Sequence, residues 1–211
     1  MAGNIAVDQF KAQLRDGGSR ANLFKVLLTF PDFLLPTLGS SVVEKASFMC
    51  KTAQLPQSSV GSFTVPYRGR EFKLPGERTF DPWTVTIYNT NDFDVRDAFE
   101  RWSQGMVGHA LNTGILDPAK YQVDLTVQHL KREQTERGRA RKEDRLSDIS
   151  KEVKIVGAFP EVVGPIDLSY DTTGEIETFD VTFQYQYWTS NTTDAGSLVQ
   201  PRFTGGSVGS F

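Results

Sequence analysis

The sequence predicts a mainly β fold, an antiparallel β-barrel or sandwich with one flanking α-helix. Three observations lead there. Short runs that alternate apolar and polar residues recur along the chain, bounded by Gly, Pro, Asn and Asp. One stretch, within residues 91–105, changes to helical spacing. No strand–helix–strand rhythm runs through the remainder, which argues against a parallel sheet built with crossover helices.

Taken in order, residues 1–20 read as a polar N-terminal arm with a short helix around Val7, Phe10, Ala12 and Leu14, closed by Gly17 and Gly18. NLFKVLLTF (22–30) is the first strand. PDFLLPTLGSSVVEK (31–45), with two prolines and a glycine, reads as a loop that carries exposed leucines. ASFMCKTAQL (46–55) is the second strand, stopped by Pro56. SFTVPY and EFKL flank RGR at 68–70, a hairpin with a basic tip. Pro66 and Pro75 place both arms at an edge, because proline has no N–H to give a ladder.

Trp83, Val85 and Ile87 alternate with Thr84, Thr86 and Tyr88, the period of a half-buried strand. Past Asn89 the period changes: Val95, Ala98, Phe99 and Trp102 fall on one side of an amphipathic helix. Asn91 or Asp92 is the expected cap, Asp92 and Asp94 suit the positive end of the dipole, Arg101 suits the other, and Gly105 is the expected stop. After a glycine-spotted connection (103–120), YQVDLTVQHL (121–130) is a strand with Tyr121, Val123, Leu125 and Val127 on one face. KREQTERGRARKEDR (131–145) is a charged hairpin tip, and EVKIVGAF (152–159) resumes the strand pattern. PIDLSYD and EIETFDVTFQYQYW, joined at TTG, predict a final hairpin whose second arm alternates Phe179, Val181, Phe183, Tyr185 and Tyr187 with polar residues. The expected layout is an arm (1–20), one β-barrel domain (21–189) with a charged tip at about 131–150, and a tail (190–211) that is flexible or held at an interface.

Composition narrows the function classes. The chain has 211 residues, enough to bury a sizeable core as one domain. A net charge of −3 argues against gripping nucleic acid or an anionic membrane with the whole surface. The one cysteine, Cys50, excludes an intramolecular disulfide, suits a reducing compartment, and is expected in the core. The first residues lack a signal peptide's pattern and no run reaches the roughly 18 apolar residues of a membrane span, so a cytoplasmic origin and no membrane insertion are expected.

Catalytic constellations are sparse. His109 lies in the glycine-rich connection and His129 at a strand end, with no nucleophile elbow beside either. No HExxH, paired CxxC or phosphate-cradling glycine motif is present, so no metal or cofactor is expected. Glu175 with Glu177, and Asp92 with Asp94, are acid pairs better read as a solvated hairpin face and a helix's first turn than as a glycosidase pair. The basic run Arg137–Arg145 is interrupted by Glu143 and Asp144 and lacks interleaved aromatics for stacking, which favours a solvated tip over a nucleic-acid site. The sequon at 191–193 has no use in a cytoplasmic chain.

Two outward strand faces are less ordinary. Gln122, Asp124, Thr126 and Gln128 on one strand, and Asp180, Thr182, Gln184 and Gln186 on another, offer amides, hydroxyls and a little negative charge where a solvent face usually collects Lys, Arg and Glu. Such a face stays wet without gripping phosphate.

The blocks RANLF (20–24), FMCKTAQLP (48–56), GERTFDPWTVTIYN (76–89) and GEIETFDVTFQYQYW (174–188) resemble, in order and spacing, the tail tube protein of contractile-tailed bacteriophages of the large myovirus type. The resemblance spans about residues 7–189; the 31–45 loop, the charged tip and the C-terminal tail depart from it. It implies a β-barrel protomer with a flanking helix, six of which close a ring whose sheets join into an inner barrel, with rings stacked into a hollow tube. It also implies a sheath outside, a tape-measure protein inside during assembly, baseplate and tail terminator proteins at the ends, and transient passage of DNA, with assembly in the host bacterial cytoplasm. No catalysis is implied. On this reading the two polar faces are candidates to line the lumen. Phe33, Leu34, Leu35, Phe63, Val65, Tyr67, Phe72 and Leu74, together with the N-terminal arm, are candidates for contacts between subunits. The alternatives are the tube of a related bacterial contractile injection or secretion system, or a monomeric β-sandwich that binds a ligand.

Overall fold

The computed structural model describes Phe10 and residues 18–131, 149–171 and 174–191. The predicted N-terminal helix, most of the charged tip and most of the C-terminal tail lie outside the described residues.

The mainly antiparallel β architecture is as expected. One seven-stranded sheet takes the order β1 (Phe24–Leu27), β6 (Val123–Leu130), β7 (Ile149–Val163), β8 (Thr178–Gln184), β5 (Trp83–Tyr88), β2 (Cys50–Ala53), with β9 (Tyr187–Ser190) also on β7. Val153 pairs with Ser190 and Val163 with Val181, so β9 and β8 follow one another along the same flank of β7. A separate two-stranded ladder, β3 (Ser58–Tyr67) with β4 (Arg70–Phe80), forms the predicted basic-tipped hairpin. Both its prolines sit in strands with a free edge, as proline requires.

The sheet rolls around one helix, α3 (Asp94–Met106). Val95, Ala98, Phe99 and Trp102 are all buried on the face predicted from their spacing. Phe99 sits among four rings, with centroids 5.2 Å from Phe30, 6.3 Å from Trp102, 6.5 Å from Phe179 and 5.9 Å from Phe183. The buried Trp102 indole is not left unsatisfied, because its Nε1–H donates to the Tyr121 carbonyl at 2.9 Å. Val85, Ile87, Leu125, Val127, Ile155 and Val181 complete the inner face.

Several elements differ from expectation. Residues 31–45 are not a loop: α1 (Leu35–Leu38) and α2 (Ser40–Phe48) occupy them, so the flanking helix has company. Leu34, Leu38, Val42 and Ala46 recur every fourth residue and are all buried, a helical stripe masked in the sequence by Pro36 and Gly39. The second strand accordingly begins only at Cys50. Helix α3 starts from Phe93 in the left-handed region with no side-chain cap, because the boundary falls on a residue without a side-chain oxygen; Asp92 and Asp94 instead reach Lys45 of α2, at 3.0 and 3.1 Å. Those two hydrogen bonds, Asp92's first, hold the Lys45 ammonium above its ordinary pKa. Gly105 does not end α3, which runs to Met106; a Cβ there would sit 2.6 Å from the Phe33 ring. A further single-turn helix, α4 (Pro118–Tyr121), is capped by the Asp117 carboxylate.

PIDLSYD forms no strand, so the final hairpin is absent. Both flanks of β8 are already filled, by β5 and by a β7 that runs on to Val163. Burial follows the alternation through Tyr185, then breaks: Tyr187 is 46% exposed after the interruption at 185–186. Cys50 is half-buried against the core, and burial pushes its thiol up to about 11.

Replacing the ring at the centre of this packing, Phe99→Ala, is expected to lower unfolding stability by about 3–5 kcal/mol. Urea denaturation followed by tryptophan fluorescence measures it. The exposed-face change Glu100→Ala, by contrast, is expected to shift stability by no more than about 0.5 kcal/mol.

Candidate functional site

With the inner face committed to α3, three outward features remain. The first is the polar face of the sheet. Register places Thr126 opposite Lys154 and Gln128 opposite Glu152, and on the other half Thr86 opposite Asp180 and Thr84 opposite Thr182. All point away from the core formed by Leu125, Val127, Val181 and Phe183. Cross-strand hydrogen bonds knit this face: Thr86 Oγ1 donates to Asp180 at 2.6 Å, and Thr84 and Thr182 hydroxyls meet at 3.0 Å. Gln128 Nε2 donates to Glu152 and Gln184 Nε2 to Glu161, each at 2.8 Å.

The two predicted sets meet at Gly157. This residue stands in a bulge of β7 at φ +66, in the left-handed region that favours glycine. Its N–H donates to Asp124 at 3.1 Å. A Cβ would lie 2.9 Å from Gln186 Cγ and 3.2 Å from Gln122 Oε1, so Gln122, Asp124 and Gln186 gather where the sheet bends. The expectation that this face lacks basic residues needs correction. Lys154 lies on it and pairs with Asp124 at 2.9 Å, and Lys25 stands opposite Gln128. Asp124, Glu152, Glu161 and Asp180 still outnumber them, so the face is acidic on balance.

The second feature is the hairpin. Opposed residues in an antiparallel ladder share a face, so the pairs Phe63–Leu74, Val65–Phe72 and Tyr67–Arg70 lie on one side. Thr64, Lys73, Pro66 and Glu71 take the other. Phe63, Val65, Tyr67 and Phe72 are between 41% and 66% exposed, an apolar stripe that no other element of the chain covers among the described residues. The remaining interface candidates divide: Leu34 is drawn into the core at 4% exposure, Phe33 rests half-buried on Gly105, and Leu35 is exposed.

The third feature is a pair of open borders. β1 pairs only with β6, and β2 only with β5, among the described residues. Both line one cleft beneath α2, together with Val43, Phe48 and Tyr88. Leu28 N–H finds the Ser47 hydroxyl of α2 there, at 3.1 Å.

Groups suited to chemistry do not converge. Glu177 accepts from Asn89 Nδ2 at 2.9 Å, while Asp92 and Asp94 hold Lys45. The His129 ring lies 3.2 Å from the Arg20 carbonyl, and His109 is exposed in the connection. No cluster of three or more metal-ligating side chains occurs among the described residues, and no described helix is long and apolar enough to cross a membrane. The basic run Arg137–Arg145 lies outside the described residues.

A family model described as phage tail tube protein matches residues 19–191. The chain is 31% identical over 170 residues to tail tube protein gp19 of Enterobacteria phage T4, covering 81% of this chain and 90% of that one. It is 23% identical over 181 residues to the tail tube protein of Serratia phage KSP90, covering 85% and 93%. Among solved structures, the sheath/tube terminator of an extracellular contractile injection system shares the fold, with a TM-score of 0.53 at 13% identity over 82% of this chain and 96% of that one.

The Asp124–Lys154 pair yields a pH prediction. Burial pushes the Asp124 carboxyl up, but the Lys154 ammonium and the Gly157 N–H together outweigh it and hold the pKa below the ordinary value. A depressed carboxyl stabilises the fold above its unfolded pKa and loses that contribution as pH falls through the folded one. Wild type is therefore expected to lose stability relative to Asp124→Asn as the pH drops from 6 through the carboxylate range, read from paired urea midpoints. Both side chains are partly exposed, so the difference is expected to shrink in salt.

Proposed function

The chain belongs to the phage tail tube protein family, and from that premise we propose that six copies close into a ring and rings stack into the hollow inner tube of a contractile tail. The contractile sheath surrounds this tube, a tape-measure protein limits its length, and baseplate and tail terminator proteins bound its ends. It assembles in the host cytoplasm and becomes the conduit for DNA in the virion.

One observation supports this reading above the others: the apolar stripe of the β3–β4 hairpin has no cover within its own chain. An uncovered strand ladder with exposed aromatic residues is a liability in a monomer and a contact in an assembly. The open borders of β1 and β2 add to the case. Pairing such borders between neighbours gains backbone hydrogen bonds worth roughly 0.5–1.5 kcal/mol net apiece, and ring closure leaves none exposed. Along the axis the contact is head to tail, does not close, and therefore propagates until another component stops it.

The polar face is our assignment for the lumen. A passing duplex is held wherever Lys and Arg neutralise its phosphates and release counterions. Here Lys154 is already matched to Asp124, and the balance of the face is acidic. Among the described residues Lys25 stands on the face without an ion pair, so one cation per copy faces the channel against an acidic majority, and the wall stays hydrated without a basic cluster to hold phosphate.

Electron microscopy of purified protein at high concentration is expected to show rings and tubes; a folded monomer that stays solitary even beside a baseplate seed overturns the reading. Virions carrying Asp180→Lys with Thr182→Lys are expected to build tails of normal length yet eject DNA about tenfold more slowly at low salt, the gap closing as salt rises. Unchanged ejection removes the face from the lumen.

A further inference from the structure

The β3–β4 hairpin has little to lean on along its length. Beyond Ser58 and Phe80, which pair at the base of the ladder, every residue of both strands is exposed save half-buried Leu74. Two short links without strand structure, 54–57 and 81–82, join the hairpin to the rolled sheet, and each holds a proline, Pro56 and Pro82. A two-stranded ladder standing alone is marginal in water, so the order of this one depends on how its root is held.

Three aromatic side chains of the rolled sheet hold that root. Trp83 Nε1–H donates to the Gln54 carbonyl at 2.6 Å. Tyr185 O–H and Trp188 Nε1–H both donate to the Gln57 carbonyl, each at 3.4 Å. Gln57 Nε2 in turn donates to Asp81 at 2.6 Å, which bridges one link to the other, and the Phe80 ring centroid lies 6.0 Å from that of Tyr185. Burial first, and the Asp81 charge second, push the Tyr185 phenol above its ordinary pKa, so the hydroxyl remains a donor.

The sequence breaks its own period to build this arrangement. Phe179, Val181, Phe183 and Tyr185 are buried at alternate positions, and a strand continuing in phase would bury Tyr187 next. The interruption at 185–186 instead shifts the phase by one residue: Tyr187 turns outward, Trp188 packs on the core and Ser190 is buried. Gln186 N–H donates to the Val156 carbonyl at 3.0 Å, beside the Gly157 bulge, so both strands give way at one level. The shift brings two donors to a single carbonyl. Each bond is long and weak taken alone, so the hold depends on the pair and on the Phe80–Tyr185 packing beneath it.

We infer that Tyr185 and Trp188 are positioning residues for the β3–β4 hairpin: their joint clasp on Gln57 keeps the ladder ordered as a preformed arm, and the phase shift at 185–186 serves that clasp. An arm already fixed loses less conformational freedom when its apolar stripe is covered, so the clasp favours assembly as well; this second consequence rests on the tube reading.

Hydrogen exchange on dilute, unassembled protein tests the clasp. Tyr185→Phe with Trp188→Phe keeps a ring at both positions and removes both donors. Amides of residues 58–80 are expected to exchange about tenfold faster, while those of β5, β6 and α3 stay within about twofold of wild type. Tyr185→Phe alone, which deletes one oxygen from an unchanged ring, is expected to give about a threefold effect, and it carries the test should the double variant fail to fold. Tyr187→Phe, which removes the out-of-phase hydroxyl, is expected to alter nothing. Unaltered exchange in 58–80, equal acceleration throughout the core, or the same acceleration from Tyr187→Phe overturns the clasp. The threshold concentration for assembly, read by sedimentation, is expected to rise about fivefold in the double variant. A threshold that stays put while the hairpin exchanges faster overturns the clasp's part in assembly. Wild type that never assembles sinks the tube reading and leaves the clasp, measured on the unassembled chain, standing.

Discussion

The packing of α3 into the rolled sheet decides what the rest of the molecule is free to do. Phe99 and Trp102, locked among Phe30, Phe179 and Phe183, fill the space that a ligand-binding barrel would leave open. No interior remains for a substrate among these residues. The inner halves of β5, β6, β7 and β8 are consumed by the same contact, so function is pushed outward to faces, borders and projections. A family whose members are structural fits a fold whose inside is full.

Each outward feature has its own physics, and the differences matter. The polar face is cross-linked by short hydrogen bonds between hydroxyls, amides and carboxylates, so its side chains are held rather than waving. The bend at Gly157 joins its two halves: a bulge there turns the sheet and lets Asp124 reach both a backbone N–H and Lys154. The borders of β1 and β2 offer backbone, whose pairing is strong but indifferent to side chains. The hairpin offers the opposite, apolar side chains on one side and charges at its tip.

The parts of the fold read most easily from the sequence are those in which burial imprints a local period. Trp83, Val85 and Ile87, the α3 stripe, and Phe179 through Phe183 all announce themselves because one face of each element meets the core. The stripe Leu34, Leu38, Val42, Ala46 carries the same information, but Pro36 and Gly39 interrupt it with the residues of a turn. Register was out of reach. Lys154, Glu152 and Glu161 share the polar face with Asp124 and Gln184 only because β7 pairs between β6 and β8, a relation of distant segments that no window of sequence contains. The hairpin's apolar residues were legible one by one; that they share a side follows from the pairing Tyr67–Arg70, which sets the register of the whole ladder.

In the proposed tube, side chains and backbone divide the labour between neighbours. Burial of Phe63, Val65, Tyr67 and Phe72 against another subunit supplies affinity, at roughly 25 cal/mol per Å² removed from water. Apolar area, however, is indifferent to direction: two hairpins could as well bury their stripes against each other and end growth in a closed dimer. The open borders of β1 and β2 add the constraint that apolar area lacks, because a partner strand pairs with them only at a spacing and direction that satisfy the backbone groups. Affinity and geometry thus come from different parts of the surface, both left free because the inner face is spent on α3.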